Sequence, residues 1–147
     1  MKRCWIVILL ITSVLIKINA QEISWELINK DQYQAIILEA DINNFRSASL
    51  LTFEDLGGLF VLFVDLSPLQ RNTVMSLTLN DRTYNLQVFD VKQYTDRGIL
   101  VFRYLLAPQN GDVAKAMYQV VDRTTSVNGR IVIGNISRKF TVKGLKQ

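Results

Sequence analysis

Glu54 and Asp55 form the only adjacent acidic pair in the chain. Two carboxylates are what glycoside hydrolysis needs, one as acid and one as base or nucleophile. Their setting points elsewhere, because Leu56-Gly57-Gly58 follows at once and a glycine pair of this kind marks a turn. The other routes to chemistry are closed by composition. There is no histidine and only one cysteine, Cys4, which excludes His-based acid–base catalysis, Ser-His-Asp triads and His metal sites. No lysine has a serine three residues before it, and no P-loop, G-x-G-x-x-G turn or EF-hand loop occurs. A carboxylate-only hydrolase is not excluded by these absences. The chain is read as a non-enzyme with no catalytic residue, no metal ligand and no cofactor.

Charge supplies a different candidate. Residues 21–122 carry 8 basic and 13 acidic side chains, whereas residues 123–147 carry Arg123, Arg130, Arg138, Lys139, Lys143 and Lys146 with no acid. Such a segment either offers a basic surface to an anionic partner or lies against the acidic remainder of its own domain. The candidate contact surface is Arg130, Arg138, Lys139 and Lys143. Nucleic acid is not an expected partner, since these cations lack interleaved aromatics. Asn135-Ile136-Ser137 also matches the N-glycosylation pattern, a short match that chance readily produces.

The elements that must position these residues begin after a leader. Lys2 and Arg3 precede an apolar run from Trp5 to Ile16, and Ile18-Asn19-Ala20 ends on a small residue before Gln21-Glu22. About 12 apolar residues are too few to cross a bilayer, which needs about 20. A charged start, a short apolar middle and a small-residue exit make a secretory signal peptide. Residues 1–20 are therefore expected to be removed, leaving a single β-rich domain over 21–147. Removal takes Lys2, Arg3 and Lys17 but no acid, so the 17 basic residues fall to 14 against 13 acidic ones. It also takes Cys4, leaving no disulfide, and stability must come from the apolar core.

Alternation dominates the chain beyond the leader. Short runs around Ile23 to Ile28 and Tyr33 to Glu39 read as strands, and SASLLTFED and LFVLFVDL read as a hairpin across Gly57-Gly58. Leu59 to Leu66 is apolar on both faces, as a strand covered on both sides would be. Met75, Leu77 and Leu79 share one face, NDRT turns the chain, and Tyr84, Leu86 and Val88 continue the alternation. KQYTDRG then reads as a polar connection before GILVFRYLL. Val113, Ala116, Met117, Val120 and Val121 instead form a helical stripe over about 112–122, with Asp112 near its start and Lys115, Gln119 and Asp122 facing away. Asn128-Gly129 predicts a hairpin turn, and RKFTV a closing strand. The fold class is mostly β, a small antiparallel sandwich or barrel with one helix in the C-terminal half.

The early Trp25, the strand-rich body, the late helix DVAKAMYQVVDR, the strand RIVI and the closing F-T-V-K-G at Phe140 to Gly144 together resemble the layout of invasion-associated locus B-like proteins. Unlike them, this chain has no cysteine near the early tryptophan. The resemblance implies a bacterial periplasmic or surface protein without catalysis, associated with host-cell invasion, and assigns no functional residue. The expected function is that of an exported binding or accessory protein, periplasmic or extracellular. Its partner would be a protein or an anionic envelope or host-surface component, with membrane contact at most peripheral. Unpaired strand edges would also permit a homo-oligomer. The alternative is a carrier whose barrel cavity holds a lipid or other small apolar ligand, with Phe63 and Phe102 among its lining.

Overall fold

The structure is a computed structural model that describes residues 20–30, 32–40, 45–53, 58–121 and 126–144. The expected signal peptide before Ala20, the Glu54-Asp55 pair and Asp122 lie outside the described residues. In chain order the elements are β1 (Gln21–Ile23), β2 (Glu26–Asn29), β3 (Gln32–Leu38), β4 (Ser47–Phe53), β5 (Gly58–Asp65), β6 (Met75–Leu79), β7 (Arg82–Asp96), β8 (Ile99–Pro108), α1 (Asp112–Val121), β9 (Ser126–Ile133) and β10 (Ile136–Lys143). The strands run in the spatial order β1-β10-β9-β6-β7-β8-β5-β4-β3-β2, antiparallel except where β1 joins β10. The ends do not meet, so the sheet is open and not a closed barrel.

One strand belongs to both halves of this sheet. The first residues of β7, Arg82 to Asn85, pair with β6, and Leu86 to Asp96 pair with β8. The two halves turn apolar faces to each other. Leu77, Leu79, Ile131, Phe140 and Val142 come from one side and Ile37, Leu50, Val61, Phe63 and Leu106 from the other, in one continuous core. The alternation of β6 and β7 is explained by that core: Leu77, Leu79, Tyr84 and Leu86 are buried while Asn85 and Gln87 are exposed. β5 is apolar on both faces because one is buried throughout and the other is covered at Phe60 and half-buried at Leu62 and Val64. Leu59, Val61 and Phe63 enter the main core, and Phe60 packs with Leu51 and Ala107 in a second cluster on the other face.

The helix, described as Asp112–Val121, lays Ala116 and Val120 into the core against β5, β8 and β6. Lys115 is exposed as its position requires, but Gln119 is half-buried and its side-chain oxygen has no partner among the described residues. Two sequence expectations are corrected. KQYTDR is not a connection. It continues β7 to Asp96, and the chain turns at Arg97-Gly98, both at positive φ. These residues form a strand by pairing with β8, without the buried face that alternation would reveal. Nor do Asn128 and Gly129 make a turn, for both lie inside β9. Gly129 sits opposite Phe140, and a side chain there would strike the Phe140 ring about 2.2 Å away. The turn falls instead at Gly134-Asn135, where Gly134 has φ 60°, the first-position glycine that a type II′ hairpin takes.

Candidate functional site

The turn at Gly134-Asn135 sets the register that decides which cations meet. Lys139 lies directly opposite Arg130, Arg130 opposite Thr78, and Thr78 opposite Thr83. These four residues form one row across β10, β9, β6 and β7 on the face turned away from the core. The row is polar throughout. The Thr78 and Thr83 hydroxyls are 3.0 Å apart, and the Thr141 hydroxyl donates to Asn128 Oδ1 at 2.9 Å one row along. Asn128 is held in turn by Asn80, whose φ of 53° brings its backbone N–H to the Asn128 carbonyl at 2.7 Å.

Of the four predicted cations, the structure brings two together. Arg130 and Lys139 are exposed cross-strand neighbours, and among the described residues no carboxylate lies within ion-pair distance of either. Lys143 shares their face but is paired with Glu22 on the neighbouring β1. Arg138 takes the opposite parity, across from the buried Ile131, and stays exposed near the strand end with Nη1 donating to the Ser137 carbonyl at 3.2 Å. Part of the basic segment thus lies against an acid of its own domain, and part does not.

The hydrogen bond and charge of Lys143 hold the Glu22 carboxyl below the usual glutamate range. A lowered pKa means that the pair's support is in place above the usual glutamate range and disappears as pH falls through the lowered value. Titrating the Glu22 side chain by NMR should give a midpoint below that of a free glutamate, and Lys143→Gln should return it. An unchanged midpoint in Lys143→Gln would remove the pair from the account.

A second region was only partly foreseen. The outer face of β3, β4, β5 and β8 carries a hollow of about 240 Å³ floored by Leu51, Phe53, Leu62 and Leu105, with Asp90, Lys92 and Arg103 on one side. Leu62 and Leu105 belong to the apolar runs expected to line a cavity, but they line the outside of the sheet. Phe63 and Phe102, from the same runs, are in the packed core. Beside the hollow, Phe89 is the extra residue of a β-bulge between Val88 and Asp90, and its ring stacks edge-on against Phe60 at 5.3 Å. No pattern in the sequence places a bulge.

A smaller hollow of about 190 Å³ lies between the end of β5 and the Gly134-Asn135 turn. It contains Asp65, which is only 6% exposed. Its carboxylate meets Arg46 Nε at 3.1 Å and accepts the backbone N–H groups of Leu66 and Ser67 at 2.7 and 3.3 Å. Its oxygens are thus engaged in holding the chain reversal, and no second acid lines the hollow. Among the described residues no cluster of three acidic, His or Cys side chains is placed to hold a metal ion. No helix among them is long and apolar enough to cross a membrane. Compared with family models, curated proteins and solved structures, the chain matches none of them.

Proposed function

We propose that this protein is an exported, non-catalytic binding or accessory module that takes an anionic partner, a protein or an envelope or host-surface component, on the face around Arg130 and Lys139. One observation carries the reading. Two exposed cations stand directly opposite each other on adjacent strands with no carboxylate beside them among the described residues. Like charges so placed are unfavourable, by roughly 0.2–1 kcal/mol, and an anion between them relieves the repulsion. Export is supported by the leader sequence, and β1 begins at Gln21, so a cut after Ala20 removes no described strand. The link to host-cell interaction rests on the resemblance to invasion-associated locus B-like proteins.

The test uses protein recovered from the exported fraction of the producing cells and retention on immobilised heparin, a sulfated anionic probe. Retention should fall with rising salt, because screening acts over about 8–10 Å at ordinary ionic strength. Arg130→Glu/Lys139→Glu should elute at clearly lower salt than wild type, and Lys143→Glu should change elution less. Equal elution of the double variant and wild type would show the face to be wrongly assigned. The mass of the same sample reads whether the chain starts at Gln21.

A carrier of a lipid or other small apolar ligand is the second reading, and a separate observation favours it. The outer hollow combines an apolar floor with Lys92 and Arg103 against a single acid, Asp90, at its side, a net positive setting for an apolar molecule with an acidic end. A carried ligand would appear in the native mass spectrum as added mass lost on unfolding.

A further inference from the structure

The longest bare strand edge among the described residues is the second part of β7. Its partner on one side, β6, stops pairing at Asn85, and from Leu86 to Asp96 β7 pairs only with β8. The other two sheet edges are short, three residues in β1 and four in β2. A long open edge is a template for another strand unless something covers or blunts it. Apolar side chains crowd this one: Val88 is 43% exposed, Phe89 59%, Val91 48% and Tyr94 42%.

Which backbone groups are open is set by the turn. Arg97 and Gly98 form a two-residue hairpin with φ of 49° and 81°, the positive pair of a type I′ turn. Such a turn closes on a hydrogen-bonded pair, here Asp96 and Ile99. Bonded and non-bonded pairs then alternate down the ladder. Val91, Gln93 and Thr95 therefore point their N–H and C=O groups away from β8, into the open.

The side chains select the occupant. Lys92 lies directly opposite Arg103 within the hairpin, and among the described residues neither has a carboxylate in ion-pair distance. Suppose two copies of β7 align antiparallel with Tyr94 on the two-fold axis. Lys92 of each copy then faces Asp96 of the other, Gln93 faces Thr95, and the two Tyr94 rings meet. The open backbone groups of Gln93 and Thr95 pair in the same register, and the bulge at Phe89 stays outside it. Moving the axis to Lys92 sets like charge against like. Centring it on Val91 matches Asp90 with Lys92 but runs the ladder into the bulge.

We propose that β7 pairs edge to edge with β7 of a second copy of this chain, antiparallel about Tyr94, so that one sheet runs through a two-fold dimer. The contact is isologous, each residue making the same contact twice. It uses a surface separate from the Arg130–Lys139 face.

Sedimentation of the protein from the exported fraction, over a wide concentration range, tests this. Wild type should self-associate reversibly to a dimer. Gln93→Pro should remain a monomer at every concentration, since it removes an outward N–H and places a ring on the edge without taking a bond from the β8 ladder. Lys92→Glu should weaken association about tenfold or more. It cannot do so by loosening the hairpin, because the new carboxylate faces Arg103. Lys92→Glu/Asp96→Lys should restore the dimer, which the register centred on Val91 would not allow. The proposal is overturned by a wild type that stays monomeric throughout, by a folded Gln93→Pro that dimerises normally, or by a charge swap that restores nothing. Heparin retention by Gln93→Pro reads the other face independently.

Discussion

Phe63→Ala is expected to lower the unfolding free energy by about 4 kcal/mol, the range for a fully buried aromatic side chain cut to a methyl group. Phe63 is among the largest side chains with no appreciable exposure, at 1%. It lies between Ala48 and Tyr104 on the neighbouring strands β4 and β8. Neither the small Ala48 nor Tyr104 can move to close the gap, because the Tyr104 hydroxyl is held by the Leu69 N–H at 2.9 Å. The cost is therefore transfer plus an uncollapsed cavity. Domains of this size have roughly 5–15 kcal/mol in all, so the loss is a large share of the total. Urea unfolding should show a lower midpoint at unchanged slope. A loss below about 1 kcal/mol would mean that Phe63 borders empty space, as a carrier's lining would. The experiment reads how completely the core is filled around Phe63 and leaves the outer hollow untouched.

Gly129→Ala should cost about 3 kcal/mol, although it adds one methyl group to a strand that is otherwise a good host for it. The added carbon would lie about 2.2 and 2.3 Å from two atoms of the Phe140 ring, far inside contact distance. Phe140 is completely buried and has nowhere to swing. Either the ring leaves its rotamer or β9 and β10 separate where they pair. The distinguishing result is the double variant. Gly129→Ala/Phe140→Leu should lose less than the two single changes added together, since the smaller side chain removes the clash. Additive losses would show that the glycine serves the backbone and not the ring.

That pair also shows why the sequence was readable in some places and not in others. Met75 to Leu79 and the stripe from Val113 to Val121 were legible because one face of each is buried and the other is not. Period then reports environment directly. Asn128-Gly129 carries a strong local turn signal, but the Phe140 ring over Gly129 makes the glycine a matter of close approach, a long-range cause that no local window contains. Val91 to Asp96 failed for the opposite reason: no face is covered, so the strand has no period to read.

The candidate site inherits the same limits. The excess of positive charge after residue 122 was plain, but which cations touch depends on register. With a turn at Asn128-Gly129, Arg130 would have faced Val127 and stood far along the ladder from Lys139. With the turn at Gly134-Asn135 they are neighbours. The bordering of the outer hollow by Lys92 and Arg103 depends likewise on where β7 turns into β8.

The pairing of β1 with β10 has a consequence for the order in which the fold is assembled. The β7–β8 and β9–β10 ladders close over two-residue turns, and such hairpins form in roughly 1–10 μs. Ile23, by contrast, pairs with Val142, at nearly the full length of the domain. The entropy of closing so large a loop rises only with the logarithm of its length, about 0.6 kcal/mol per doubling, so the closure is thermodynamically tolerable. Among the described strand pairings it joins the residues farthest apart in sequence, and contacts of such separation are slow to close. Pairing of β1 with β10 is therefore expected to follow closure of the two hairpins.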